Sequence, residues 1–246
     1  MTVDSALAHG APPAAVGRPQ GSRPRTLGLR APLVELCRAR LARSRIARMG
    51  LVSAWSTTLV FAVMAIALRA GDGVDASFGG LVVQATRIVA WVAGGSVALA
   101  AAADRAALDR REGIETLAAV RGASPLALAA ARALATMIQV ARAILGPALS
   151  LALLGVILSG TVFVALSQLG VAVAVAVFAV VSGVVIGAAA DICARLGRRQ
   201  GRWLLLAVIL APWVAADIAG RSAWSIPGAL SALLDLAVRL LSGGAP

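Results

Sequence analysis

The side chains that ordinarily do chemistry are scarce in this chain of 246 residues. All 23 basic residues are Arg and none is Lys, so the sequence offers neither a loop lysine to grip a nucleotide's phosphates nor an amine for a Schiff base. The one His, His9, lies in a Pro/Gly/Ala-rich stretch, which leaves no imidazole elsewhere for a Ser-His site or a zinc-binding pair. Cys37 and Cys193 are single and far apart, a pattern that indicates neither a CxxC metal site nor a disulfide framework. Asp217 and Asp235 are isolated acidic residues in apolar surroundings, without the cluster of Asp or His that an intramembrane active site needs. No catalytic residue, metal or cofactor is expected. If the protein does work that needs energy, another chain must hydrolyse the ATP.

The chemistry that remains is that of contact between proteins. The most charged internal stretch, 104–121, reads DRAALDRREGIETLAAVR. Within it Ile114, Leu117 and Val120 recur every third residue and form an apolar face, with Asp109, Glu112, Glu115 and Thr116 opposite. Gly122 stands where a helix end wants a residue of positive φ, Ser124 is a good N-cap, and Pro125 suits a first helical position, which needs no N–H. The pattern predicts an amphipathic helix of about two to three turns, a tight corner and then a long helix. A short rigid lever of this kind, joined directly to two membrane spans, suits passing a push from a soluble partner into the bilayer. Packing beneath the chain's own bundle is the alternative reading of the same face.

The elements that must position this lever are set by composition. Sixty per cent of the chain is apolar and 14% is charged, and the mean hydropathy is +0.89. Soluble domains are roughly 45–50% apolar and about 25% charged. The apolar residues come in runs near the ~20 needed to cross a bilayer. The expectation is an all-α, polytopic helical membrane protein with five or six transmembrane helices. Residues 1–30 are expected to be a disordered tail with no signal-peptide core. Residues 31–49, with Arg38, Arg40, Arg43, Arg45 and Arg48, are expected to form a helix on the anionic membrane surface, and 50–246 a transmembrane domain carrying the cytoplasmic segment 104–124. Spans are predicted over 50–68, 80–103, 125–158, 161–190 and 203–219, with basic loop 191–202 before the last. The 125–158 run is too long for one crossing, and its first half, bearing Arg132, Gln139 and Arg142, is expected to rise out of the cytoplasm. Residues 226–241 carry Ser231, Asp235 and Arg239 as a polar stripe, as either a short sixth span or a helix in the outer interface.

Arginine placement sets the orientation. With the N-terminus inside, 17 Arg lie on the cytoplasmic side, against Arg69 and Arg221 outside. The net charge of +12 is therefore read as a membrane signal, and no nucleic-acid partner is expected.

The run Glu112-Gly113-Ile114-Glu115-Thr116-Leu117, followed by Arg121, Ser124 and Arg132, resembles the coupling segment of type-2 ATP-binding-cassette (ABC) exporter permeases. Gly122 stands in place of that family's usual Pro, Arg132 in place of its Lys, and Glu115 and Thr116 fill its Leu-Glu positions. The size of the chain and the approach from Val89-Ala90-Trp91-Val92-Ala93 to Asp104-Arg105 are similar to the membrane subunits of the haem exporters of cytochrome c maturation. The resemblance covers about 30–220. It implies a permease of the prokaryotic cytoplasmic membrane that dimerises with an identical or a different protomer and carries one ABC-type ATPase subunit per protomer. On that reading Glu112, Glu115 and Arg121 steer docking, Ile114 and Leu117 fill a cleft of the ATPase, and Arg111 and Gly113 belong to the same segment.

Two other readings stay open. One is a non-transporting anchor or regulatory subunit of the kind FtsX-like permeases exemplify, although no long outer loop is present. The other is a lipid-modifying membrane enzyme. Asp217, with Arg221 at i+4, reads as an ion pair at the outer rim or as a residue of the substrate path. Gly183 and Gly187 form a GxxxG pattern that suits close helix packing within one chain or across a dimer seam. Pro147 and Pro212 should kink their helices, and Trp203, Trp213 and Trp224 should mark the interfaces.

Overall fold

A computed structural model describes residues 27–70, 77–103, 111–120, 122–197, 200–221 and 224–242. The tail 1–26, positions 71–76 and 104–110, Arg121, and positions 198–199, 222–223 and 243–246 lie outside the described residues, and with them most of the expected tail, Asp109 and His9. Every regular element among the described residues is helical. Five helices are long and apolar enough to cross a membrane, so this is an all-α polytopic membrane protein.

The described chain opens with α1 (Leu27–Ala42), breaks at Arg43 and Ser44, and continues as α2 (Arg45–Ala70). The break is local: the Ser44 hydroxyl accepts a hydrogen bond from the Ala47 N–H at 3.2 Å and caps α2. Arg45 and Arg48 therefore open the first membrane helix instead of closing the preceding one. The second crossing is α3 (Ser77–Val89), a π turn over Ala90–Gly94 and α4 (Gly95–Ala101). A short helix, α5 (Ile114–Val120), leads to the 34-residue α6 (Pro125–Leu158). The 36-residue α7 (Val162–Gly197) returns, α8 (Gly201–Ile218) crosses again, and α9 (Ile226–Leu241) closes the described chain. Helix α7 outruns the expected 190 because Asp191 and Arg195 pair at 2.6 Å one turn apart and carry the helix into the stretch expected to be a loop.

The centre of the fold is the antiparallel α6–α7 pair, and small residues explain its intimacy. A Cβ on Gly183 would lie 2.6 Å from the Ala141 Cβ, and one on Gly187 would lie 2.8 Å from the Met137 Cα. The GxxxG pattern therefore serves packing within one chain, where dispersion between closely approached helices replaces the hydrophobic drive that lipid does not supply. At the hairpin between α6 and α7 Gly155 makes room for the Phe78 ring. At the opposite end Gly201 sits against the carbonyls of Ala102 and Cys193, which locks the ends of α4, α7 and α8 together. By contrast α2 and α8 are largely exposed along their length, the two least buried of the five spans.

At ~1.5 Å per residue α6 is about 51 Å long, well beyond a ~30 Å hydrocarbon layer. Its first turns are buried at Leu128, Ala131 and Ala135, and α1 and α5 both pack on α6. The surplus length is a platform for the segment that the sequence singles out.

Candidate functional site: the α5 corner

Two glycines frame α5. Gly113 has φ +69° and Gly122 has φ +76°, a left-handed conformation that costs a residue with a Cβ roughly 1–2 kcal/mol. Gly113 starts the helix abruptly, so Arg111 and Glu112 precede α5 and do not lie on it. Gly122 ends it: its N–H donates to the Ala119 carbonyl at 2.9 Å, and the Ala123 N–H donates to the Ala118 carbonyl at 2.8 Å, the paired bonds of a Schellman ending. Ser124 then caps α6, its hydroxyl accepting from the Ala127 N–H at 3.1 Å with Pro125 in the first turn. Helix, corner and helix follow the local chemistry expected of these residues.

The acidic residues tie the segment down at two points. Glu112 accepts a hydrogen bond from Arg40 of α1 and forms an ion pair with it, 72 positions away in sequence. Glu115 stands 3.6 Å from Arg132 of α6, a charge contact longer than a hydrogen bond. Arg132 is mostly covered, with its side chain 20% exposed. Nothing in the linear pattern assigns Arg40 to Glu112. The available signal is only that an acidic residue stands out among many arginines.

The apolar face divides. Ala118 is buried, and Ile114 and Leu117 border a groove of about 240 Å³ shared with Pro32, Leu33 and Leu36 of α1 and with Ala123. Leu117 remains 60% exposed and Val120 81% exposed. The face therefore both packs beneath the bundle, through Ala118 and Ile114, and presents leucine and valine outward. Arg111 is exposed, and Arg121 lies outside the described residues.

Asp217 is remote from this corner, exposed at the other end of α8. It does not pair with Arg221. Helix α8 ends at Ile218, and Gly220 with φ +65° turns the chain away, which breaks the i, i+4 geometry. The Arg221 guanidinium lies instead 4.5 Å from the centroid of the Trp224 ring. A second polar site was not legible in the sequence: Arg87 of α3 pairs with Asp235 of α9 at 2.6 Å. The polar stripe on α9 thus faces protein at Asp235.

Compared with family models, with curated proteins and with solved structures, the chain gives no significant match.

Proposed function

We propose that this chain is the membrane-spanning permease subunit of a type-2 ABC exporter, driven by a separate ATPase subunit on the face that carries α5. The observation that carries the reading is the build of the α5 corner. Leu117 and Val120 project outward from a helix of seven residues that is stopped at both ends by glycine and braced to α1 and α6 by Glu112 and Glu115. A load on the exposed face passes to α6, a single helix that runs from the corner through the bundle. The resemblance of the 112–132 run to coupling segments supports the same role.

In this account two protomers and two ATPase subunits form the transporter in a prokaryotic cytoplasmic membrane, with the arginine-rich end of the bundle inside. Closure of the ATPase pair on nucleotide tilts α6 and α7 together, since Gly183 and Gly187 of α7 close directly on Met137 and Ala141 of α6 and make the two helices one unit. The chain binds no cofactor and carries no catalytic group of its own in this role.

The test is co-expression with a P-loop ATPase encoded beside the gene. The wild-type chain should retain the ATPase through purification, and Leu117→Asp should release it while still inserting in the membrane. Undiminished retention by Leu117→Asp would remove the docking role.

A further inference from the structure

Away from the α5 corner, α2 and α8 stand on either side of the α3–α4 column with little direct contact, and a slot of about 580 Å³ lies between them. Its walls are apolar, with Ile46 and Met49 from α2 and Leu205, Leu206, Ile209 and Leu210 from α8. Its floor is the π turn and the start of α4, where Trp91, Gly95 and Ser96 line it. The floor is shaped by two features. The π turn widens one helical turn and sets Trp91 and Val92 toward the slot, as such turns often do at functional positions. Gly95 leaves an open space, since a Cβ built there meets nothing within 4 Å.

Charge is confined to one end. Arg45 and Arg48 open α2 and Arg202 opens α8, all three exposed, and neither helix has an acidic residue in its first turn. Arg202 is held at the mouth by a 3.2 Å bond from its Nε to the carbonyl of Leu99, itself a lining residue. An apolar slot of this size with arginines and no acidic residue at the adjoining helix starts complements a molecule with an apolar tail and an anionic head. Both slot-bearing helices are also the spans most open to the bilayer, where such molecules are abundant.

We propose that the slot between α2, the π turn and α8 holds one acyl chain of an anionic phospholipid from the surrounding bilayer, with the phosphate against Arg45 and Arg202. The lipid seals the gap between α2 and α8 and joins two helices that touch little along the slot. The site does not depend on the transport reading, and its test needs no ATPase.

The full-length chain, purified in mild detergent, is titrated with phosphatidylglycerol or with phosphatidylcholine of the same acyl chains, and retained lipid is read by native mass spectrometry. One phosphatidylglycerol should be retained in preference to phosphatidylcholine, by about fivefold for each arginine engaged. Arg45→Gln and Arg202→Gln combined should abolish that preference, and Arg48→Gln, on the face of α2 turned from the slot, should leave it. Gly95→Leu fills the slot from its floor and should lower retention of phosphatidylglycerol by about tenfold or more without lowering the thermal midpoint. Leu206→Trp fills it from the α8 wall and serves the same purpose should Gly95→Leu not fold. Retention of phosphatidylglycerol by a folded slot-filling variant at the wild-type level would overturn the proposal. So would equal binding of the two lipids by the wild type, or a protein dimer whose seam covers Met49 and Leu210 with no lipid retained.

Discussion

The Nη2 of Arg87 donates to both carboxylate oxygens of Asp235, at 2.7 and 2.6 Å, across 148 positions of sequence. Arg87 stands nine residues past Phe78 in the second span, about 14 Å along the helix, where an unpaired guanidinium would be costly. The pair fastens α9 to α3. The far end of α9 is seated separately, where the Leu241 carbonyl lies over Gly170 of α7.

Removing one charge strands the other. Asp235→Leu should destabilise the protein by about 1–3 kcal/mol, because the Nε of Arg87 is already buried without a partner and Nη2 would join it. Arg87→Met combined with Asp235→Leu should recover most of the loss, since an apolar pair of similar volume carries no desolvation cost. Thermal unfolding in one detergent checks both. A double variant less stable than Asp235→Leu alone would contradict the account.

The α6–α7 contact leaves no room for growth. Gly187→Leu drives a side chain into the Met137 backbone, which cannot swing aside as a side-chain tip would, and should cost about 3 kcal/mol or more with loss of folded yield. Gly95→Ala, which meets nothing, should be neutral or should stabilise by up to about 1 kcal/mol through helix propensity. Expression level and thermal midpoint separate the two.

The corner depends on its caps. Ser124→Ala should lose about 1 kcal/mol with the cap to Ala127, and Gly122→Ala about 1–2 kcal/mol through strain at positive φ. Both should raise hydrogen exchange of the α5 amides while leaving the core of α7 protected, as peptide-resolved exchange can read.

Charge steers the brace between α1 and the residues just before α5. Arg40→Glu should weaken the hold on Glu112 and, on the proposed function, depress hydrolysis by an ATPase that co-purifies with the chain, and Arg40→Glu with Glu112→Arg should restore it. The pair is half exposed at Glu112, so stability should change by only about 0.2–1 kcal/mol.

What could be read from the linear chain was what neighbours decide. The corner from Ala118 to Pro125 was legible because its glycine, serine and proline act on backbone groups within a few positions, and the crossing helices were legible because lipid demands length and apolarity. Ser44 was an equally local signal, but it was hidden by the run of arginines around it, so the start of α2 fell later in the expectation than in the structure. Gly113 split Glu112 from the helix that its spacing had suggested. Contacts between distant positions left no trace. Arg40 with Glu112 and Arg87 with Asp235 are each single charges whose partners only the folded bundle selects. The π turn at Ala90–Gly94 likewise has no periodic signature in a stretch of alanine, valine and glycine around Trp91.

The most direct test of the α5 lever is a single reporter on its outward face. Val120→Cys, with Cys37 and Cys193 replaced by Ser, is placed in membranes containing the ATPase and treated with a thiol cross-linker. The account predicts a cross-link to the ATPase whose yield changes when ATP is trapped, and protection of the thiol from an impermeant reagent added outside the cell. Ready labelling of Val120→Cys from outside, with no cross-link in any nucleotide state, would contradict it.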